Sequence, residues 1–110
     1  MSAVVDDELV STDLHGHSLF SDGRATPEEF VSFRARRRLS FIALSDHDTF
    51  AGVPRALAEA RQHPGLTLVP AMEATSFIHF GSERAEQIHV LAYFPPAFLA
   101  DGRLWQTALH

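Results

Sequence analysis

The chain has 110 residues, enough for one small domain and too few for two, and its hydrophobic share of 45% is that of an ordinary globular protein. No apolar run reaches bilayer-spanning length and the acidic start Met1–Glu8 lacks the basic region of a secretory signal, so the default expectation is a cytoplasmic protein with no membrane partner. A formal net charge of −5 argues against a general nucleic-acid binder, and the absence of cysteine removes disulfides and thiolate metal sites together.

In chain order, residues 1–8 read as a flexible lead-in to one domain over residues 9–110. Leu9–Leu14 predicts a short strand that delivers His15 and His17 at its end. Side chains at i and i+2 of an extended backbone leave the same face, so both imidazoles can turn toward one cation. Asp22 adds a carboxylate a short loop later, Gly16 and Gly23 allow tight turns around the site, and Asp13 and Ser18 flank the pair with groups able to hold the rings. A helix then starts with Thr26 as N-cap, Pro27 in the first position and Glu29 completing a capping box. Phe30, Val31, Phe33 and Ala35 form its apolar side, and it runs to about Arg38, with Arg34, Arg36, Arg37 and Arg38 as a solvated basic end.

Leu39–Leu44 is a continuous apolar run of the length of a buried parallel strand, and it leads into Ser45-Asp46-His47-Asp48-Thr49. A second helix over Val53–Gln62 is stopped by His63-Pro64-Gly65. Leu66–Pro70 predicts a third strand with Glu73 just past its end. Ala74–Gln87 is either a small hairpin or an excursion. The strand Ile88–Phe94, carrying His89, closes at Pro95-Pro96, and residues from Asp101 read as the first turns of a helix. This order implies parallel strands with crossover helices, the arrangement in which sites are built at the C-terminal strand ends.

Seven histidines stand where about two would be expected from average usage. The candidate ligands are His15, His17, Asp22, His47, Glu73 and His89. Singly, each has a plain structural explanation, such as a capping histidine, a solvated acid or a satisfied core imidazole. Their joint placement favours metal. His63, His79 and His110 are set aside, since they lie at a helix stop, in the excursion and at the chain end. Imidazoles with carboxylates suit Zn²⁺, Mn²⁺ or Fe²⁺ and suit Ca²⁺ poorly. One zinc takes about four ligands, so six ligands with water serve two ions or more. Glu73 can bridge two of them, and two ions ~3.5–4 Å apart form the clamp used in phosphoester hydrolysis.

Asp13-Leu14-His15-x-His17-Ser18, Ser21-Asp22-Gly23, Pro27-Glu28-Glu29, Ile42-Ala43-Leu44-Ser45-Asp46-His47-Asp48-Thr49, Pro70-x-x-Glu73 and His89-Val90-Leu91-x-Tyr93 resemble the PHP (polymerase and histidinol phosphatase) family. The resemblance runs from about Thr12 to Phe94. It implies an α/β fold, the N-terminal part of a distorted seven-stranded (β/α) barrel, incomplete in this chain. It further implies a trinuclear centre in which His15 and His17 bind one metal with Glu73, Glu73 bridges to a second that takes His89, and Asp22 and His47 hold the third. The implied activity is hydrolysis of a phosphate ester by metal-activated hydroxide, carried by Glu73, His15, His17 and His47, with two or three Zn, Mn or Fe ions per complete site. A small phosphorylated substrate is expected ahead of nucleic acid. Ala71 and Ala92 stand where the family usually has glycine. The family's further ligands, a histidine and a later Asp-x-His, have no counterpart before residue 110, so self-association or a missing C-terminal half is expected. The alternative is a catalytically incomplete metal-binding module that needs further residues or a partner chain.

Overall fold

The computed structural model describes residues 10–79 and 85–95. Their elements are β1 (Thr12–Asp13), α1 (Pro27–Arg36), β2 (Phe41–Leu44), α2 (Val53–Ala60), β3 (Thr67–His79) and β4 (Ala85–Tyr93). The expected lead-in and the helix from Asp101 lie outside the described residues. No described helix is long and apolar enough to cross a membrane.

Helix α1 begins where local chemistry dictates. The Thr26 hydroxyl accepts from the Glu29 amide at 3.1 Å and the Glu29 carboxylate accepts from the Thr26 amide at 2.9 Å, which satisfies two of the amides a helix start leaves without partners. The helix ends at Arg36, short of the expected Arg38, which has the left-handed φ of 59°. It buries Pro27, Phe30 and Val31. Phe33, expected on the apolar side, is 46% exposed, with the Arg36 guanidinium 5.7 Å from its ring centre. Arg34 does not belong to a solvated basic end: its guanidinium lies 3.6 Å over the Phe30 ring and bonds Asp13 at 2.9 Å.

Helix α2 ends at Ala60, and Gly65, at a φ of +87°, takes the left-handed turn that leads into β3. Val53, Ala56 and Ala60 face inward. Together with Phe30, Val31, Ile42, Leu44, Phe50 and Leu68 they form one core between the helices and one face of the sheet. Full burial of each large apolar side chain stabilises the fold by roughly 1.5–3 kcal/mol. Arg55 of α2 and Glu28 of α1 join the helices by two bonds of 2.6 and 2.8 Å.

The sheet order is β1-β2-β3-β4, with β1, β2 and β3 parallel and β4 antiparallel to β3. Two expectations are corrected here. The third strand does not stop near Pro70 but continues to His79, and the last strand is not a parallel crossover strand but the second arm of a long hairpin. The reason is length: only residues 80–84 separate the arms, and a parallel return needs a dozen residues or more. The expected first strand over Leu9–Leu14 is reduced to two residues. The result is a half-barrel. Its two edge strands each lack a neighbour among the described residues, and Phe77, Val90 and Tyr93 are 57%, 48% and 44% exposed.

Candidate metal centre

The site is built where the loop after β1 meets the ends of β2 and the middle of β3. Ser45, directly after β2, grips Gly16 three ways. Its amide donates to the Gly16 carbonyl at 2.8 Å, its hydroxyl donates to the same carbonyl at 3.1 Å, and that hydroxyl accepts from the Gly16 amide at 3.1 Å. The next residue, Asp46, is 1% exposed. Its carboxylate accepts from the Ser18 amide at 2.6 Å, the Ser18 hydroxyl at 2.7 Å and the Ser21 hydroxyl at 2.6 Å. Asp46 is thus the anchor of the loop that carries the histidine pair.

Three readings change accordingly. Ser18 does not hold an imidazole; it bonds Asp46. Asp13 pairs with Arg34 on the helix side of the sheet. Gly16 and Gly23 are required for space rather than for an unusual backbone angle. A Cβ at Gly16 would sit 2.6 Å from the Phe30 ring, and one at Gly23 would sit 2.2 Å from the His17 carbonyl oxygen.

Glu73 lies within β3, not past its end, because the chain after β2 continues alongside it. Its amide donates to the Asp46 carbonyl and its carbonyl accepts from the Asp48 amide, both at 3.0 Å, forming a bridge opposite His47. His89 is opposite Thr75 in β4. A parallel β4 would have sent His89, near the strand's beginning, to the far edge of the sheet. The antiparallel direction brings it to the same edge as the C-terminal ends of β1 and β2.

All six candidates meet there. Glu73 Oε1 is 2.6 Å from His15 Nε2 and 3.1 Å from His17 Nε2. Glu73 Oε2 is 3.3 Å from His89 Nδ1 and 3.8 Å from His47 Nδ1. Asp22 reaches His17 Nδ1 at 2.7 Å through one oxygen and His47 Nε2 at 3.1 Å through the other. Three overlapping groups result, His15–His17–Glu73, His17–Asp22–His47 and His47–Glu73–His89, each with ligand atoms within 4.8 Å of one another. The first group matches one set implied by the resemblance. The other two draw His17 beside Asp22 and His47, and His47 beside His89.

The electrostatics follow from this crowding. Burial pushes the Glu73 carboxyl up, but the His15 hydrogen bond and the charges of His47, His15 and His17 outweigh it and hold the group below its ordinary value. Desolvation raises Asp22 likewise, and the charges of His17 and His47 with a hydrogen bond from His47 bring it below the usual carboxylate range. The donor set fits a divalent ion on two observations. His17 Nδ1 is buried without a hydrogen-bond partner, because the Asp22 oxygen 2.7 Å away lies out of line. His15 Nε2 and His17 Nε2 are 3.1 Å apart beside one carboxylate oxygen. Such converging nitrogen and oxygen lone pairs are the ligand chemistry of Zn²⁺, Mn²⁺ and Fe²⁺.

The histidines set aside are accounted for. His63 bonds Glu59 one turn back at 2.8 Å, His79 is exposed at the far end of β3, and His110 lies outside the described residues. What sequence reasoning missed is the supporting frame: Ser45, Asp46, Asp48 and Tyr93, whose hydroxyl donates to the Leu14 carbonyl at 2.6 Å. The available signal was a run of polar residues, Ser45–Thr49, placed directly after a buried apolar strand.

A family model for the PHP domain matches residues 13–96. The chain belongs to the PHP domain family. It is 40% identical over 65 residues to the 5'-3' exoribonuclease Rnm of Salmonella typhimurium, covering 58% of this chain and 22% of that protein. It is 36% identical over 67 residues to the 3',5'-nucleoside bisphosphate phosphatase of Chromobacterium violaceum, covering 61% of this chain and 23% of that one. A solved structure of an amidohydrolase from Chromobacterium violaceum, holding sulfate and no metal, superposes with a TM-score of 0.69 at 29% identity, over 89% of this chain and 32% of that one. This PHP chain therefore spans less than a third of the length of these relatives, and the four strands and two helices of its described residues are a part of the PHP fold.

Proposed function

We propose that this PHP chain is the ligand-bearing N-terminal part of a metal-dependent phosphoesterase, acting on a small phosphorylated substrate ahead of nucleic acid. The observation that carries the reading is the convergence of four imidazoles and two carboxylates on one sheet edge, with His17 Nδ1 buried, 2.7 Å from Asp22 and without a hydrogen bond. His15, His17, Asp22, His47, Glu73 and His89 would hold two or three divalent ions. Held there, such ions would supply Lewis-acid activation of water and charge neutralisation at a phosphoryl group.

The chain's own residues do the positioning. Glu73 offers one oxygen to the His15–His17 side and the other to the His47–His89 side, so one carboxylate would hold ions on both sides. Asp22 does the same between His17 and His47 from the solvent side. The phosphatase and exoribonuclease relatives both support phosphoester cleavage, and the net charge of −5 favours the smaller substrate.

Elemental analysis of purified protein tests the site directly. Wild type is expected to carry Zn, Mn or Fe, and His15→Ala with His17→Ala to lose most of it; equal metal in both would sink the proposal. Glu73→Gln keeps shape while removing the charge that offsets two cations, so any turnover of a phosphomonoester should fall by roughly 10²-fold or more with an unchanged circular dichroism spectrum. Full turnover in Glu73→Gln would rule out the bridging role.

A second reading, a metal-binding module that needs a C-terminal half or a second copy for turnover, is favoured by two sheet edges that lack a neighbour among the described residues and by the exposed Phe77, Val90 and Tyr93. Light scattering distinguishes it. Self-association, with activity gained on adding the missing half, supports the module; a stable monomer with substantial turnover supports a self-sufficient site.

A further inference from the structure

We infer that Asp48 is a positioning residue that holds Glu73 in register for metal, acting as a side-chain substitute for the strand that β2 no longer provides. The inference rests on the metal reading of the site. Within β3, Glu73 and Thr75 both turn their backbone groups toward β2. Glu73 is served by backbone, from the Asp46 carbonyl and the Asp48 amide. At Asp48 the chain turns away with a φ of 54°, a left-handed conformation uncommon for any residue but glycine, asparagine and aspartate. The Thr75 amide would then face no carbonyl. Instead Asp48 Oδ1 accepts from that amide at 2.6 Å, and Asp48 Oδ2 accepts from the Thr75 hydroxyl, also at 2.6 Å.

Asp48 therefore grips β3 at three points, one on Glu73 and two on Thr75. Both of its carboxylate oxygens are spent on Thr75, and it belongs to none of the three ligand groups. The grip matters because Glu73 must present its two oxygens to opposite sides of the site, 2.6 Å from His15 and 3.3 Å from His89. His89 stands opposite Thr75 in β4.

Two substitutions separate this role from a merely structural one. Asp48→Gly removes the carboxylate yet suits the left-handed angle, so the fold should persist with a modest drop in thermal stability while Zn²⁺ affinity by calorimetric titration falls about 10–100-fold. Asp48→Asn tolerates the angle, accepts from the Thr75 amide and donates to the Thr75 hydroxyl, so it should restore Zn²⁺ affinity to within about threefold of wild type. A readout free of metal is hydrogen exchange of the Thr75 amide in the metal-free chain, where protection should fall about tenfold or more in Asp48→Gly and be retained in Asp48→Asn. Asp48→Gly matching wild type in Zn²⁺ affinity and amide protection overturns this inference alone. Asp48→Asn losing as much affinity as Asp48→Gly also overturns it, since charge rather than geometry would then be the cause. A wild-type chain that takes up none of Zn²⁺, Mn²⁺ and Fe²⁺ overturns this inference and the site reading together.

Discussion

Asp46→Ala is the sharpest test of how the histidine loop is held. The carboxylate takes three hydrogen bonds from two serines at 2.6–2.7 Å while 1% exposed. Ser21 is only half-buried, so its hydroxyl can turn to water and contributes little to the loss. Ser18 is 0% exposed, and both its amide and its hydroxyl would be left facing an apolar methyl group. Two buried donors without partners cost ~1–3 kcal/mol each, and relief of the buried charge offsets part of that, leaving a net loss of about 3 kcal/mol. Against a total stability of ~5–15 kcal/mol for a domain of this size, that is a large fraction. In urea, with a slope of ~2 kcal/mol/M, the unfolding midpoint should fall by about 1.5 M with the slope unchanged. Asp46→Asn keeps the volume and one acceptor but turns an amide donor toward a serine donor, so its midpoint should fall about half as far. Adding Ser18→Ala to Asp46→Ala should cost less than the sum of the two single changes, because they break the same bonds. An Asp46→Ala midpoint within ~0.3 M of wild type would refute the argument that this network holds the loop.

Two further predictions concern regions around the site. The Arg55 hydrogen bonds hold Glu28 at about 2, against an ordinary 4.5. Because the folded value lies below the unfolded one, the link between α1 and α2 contributes its stability above about pH 4.5 and loses it as pH falls toward 2; Arg55→Gln should flatten that part of the acid-unfolding curve, and an unchanged curve would show that the pair contributes nothing. Gly23→Ala places a methyl group against the His17 carbonyl and should destabilise by about 3 kcal/mol, whereas Gly65→Ala, which meets open space at a φ of +87°, should cost only the ~1–2 kcal/mol of the left-handed backbone. Thermal unfolding that ranks the two the other way would contradict the close-approach reading of Gly23.

The sequence by itself determined whatever depends on residues a few positions apart. Thr26 and Glu29 cap α1 because they sit three residues from each other, and no distant contact is needed to bring them together. Ile42–Leu44 of β2 are buried because their apolar character leaves them no stable exposed alternative. The six candidate ligands were legible as residue types that favour divalent metal, in motifs that follow apolar runs. Tertiary structure alone decided how they are held. Asp46 finds its serines 25 and 28 residues away, and nothing local distinguishes it from Asp48, which serves Thr75 instead. The direction of β4, which brings His89 to the site edge, depends on pairing across a hairpin whose outer half is exposed on both faces, so hydrophobic periodicity carried little information about it. The sequence puts Phe33 on the apolar side of α1, yet what a helix face buries depends on what packs against it, and Phe33 meets solvent and Arg36. Short-range propensities act within a turn or a strand, whereas register, strand direction and the partners of a buried charge are set by contacts that exist only once the chain has closed on itself.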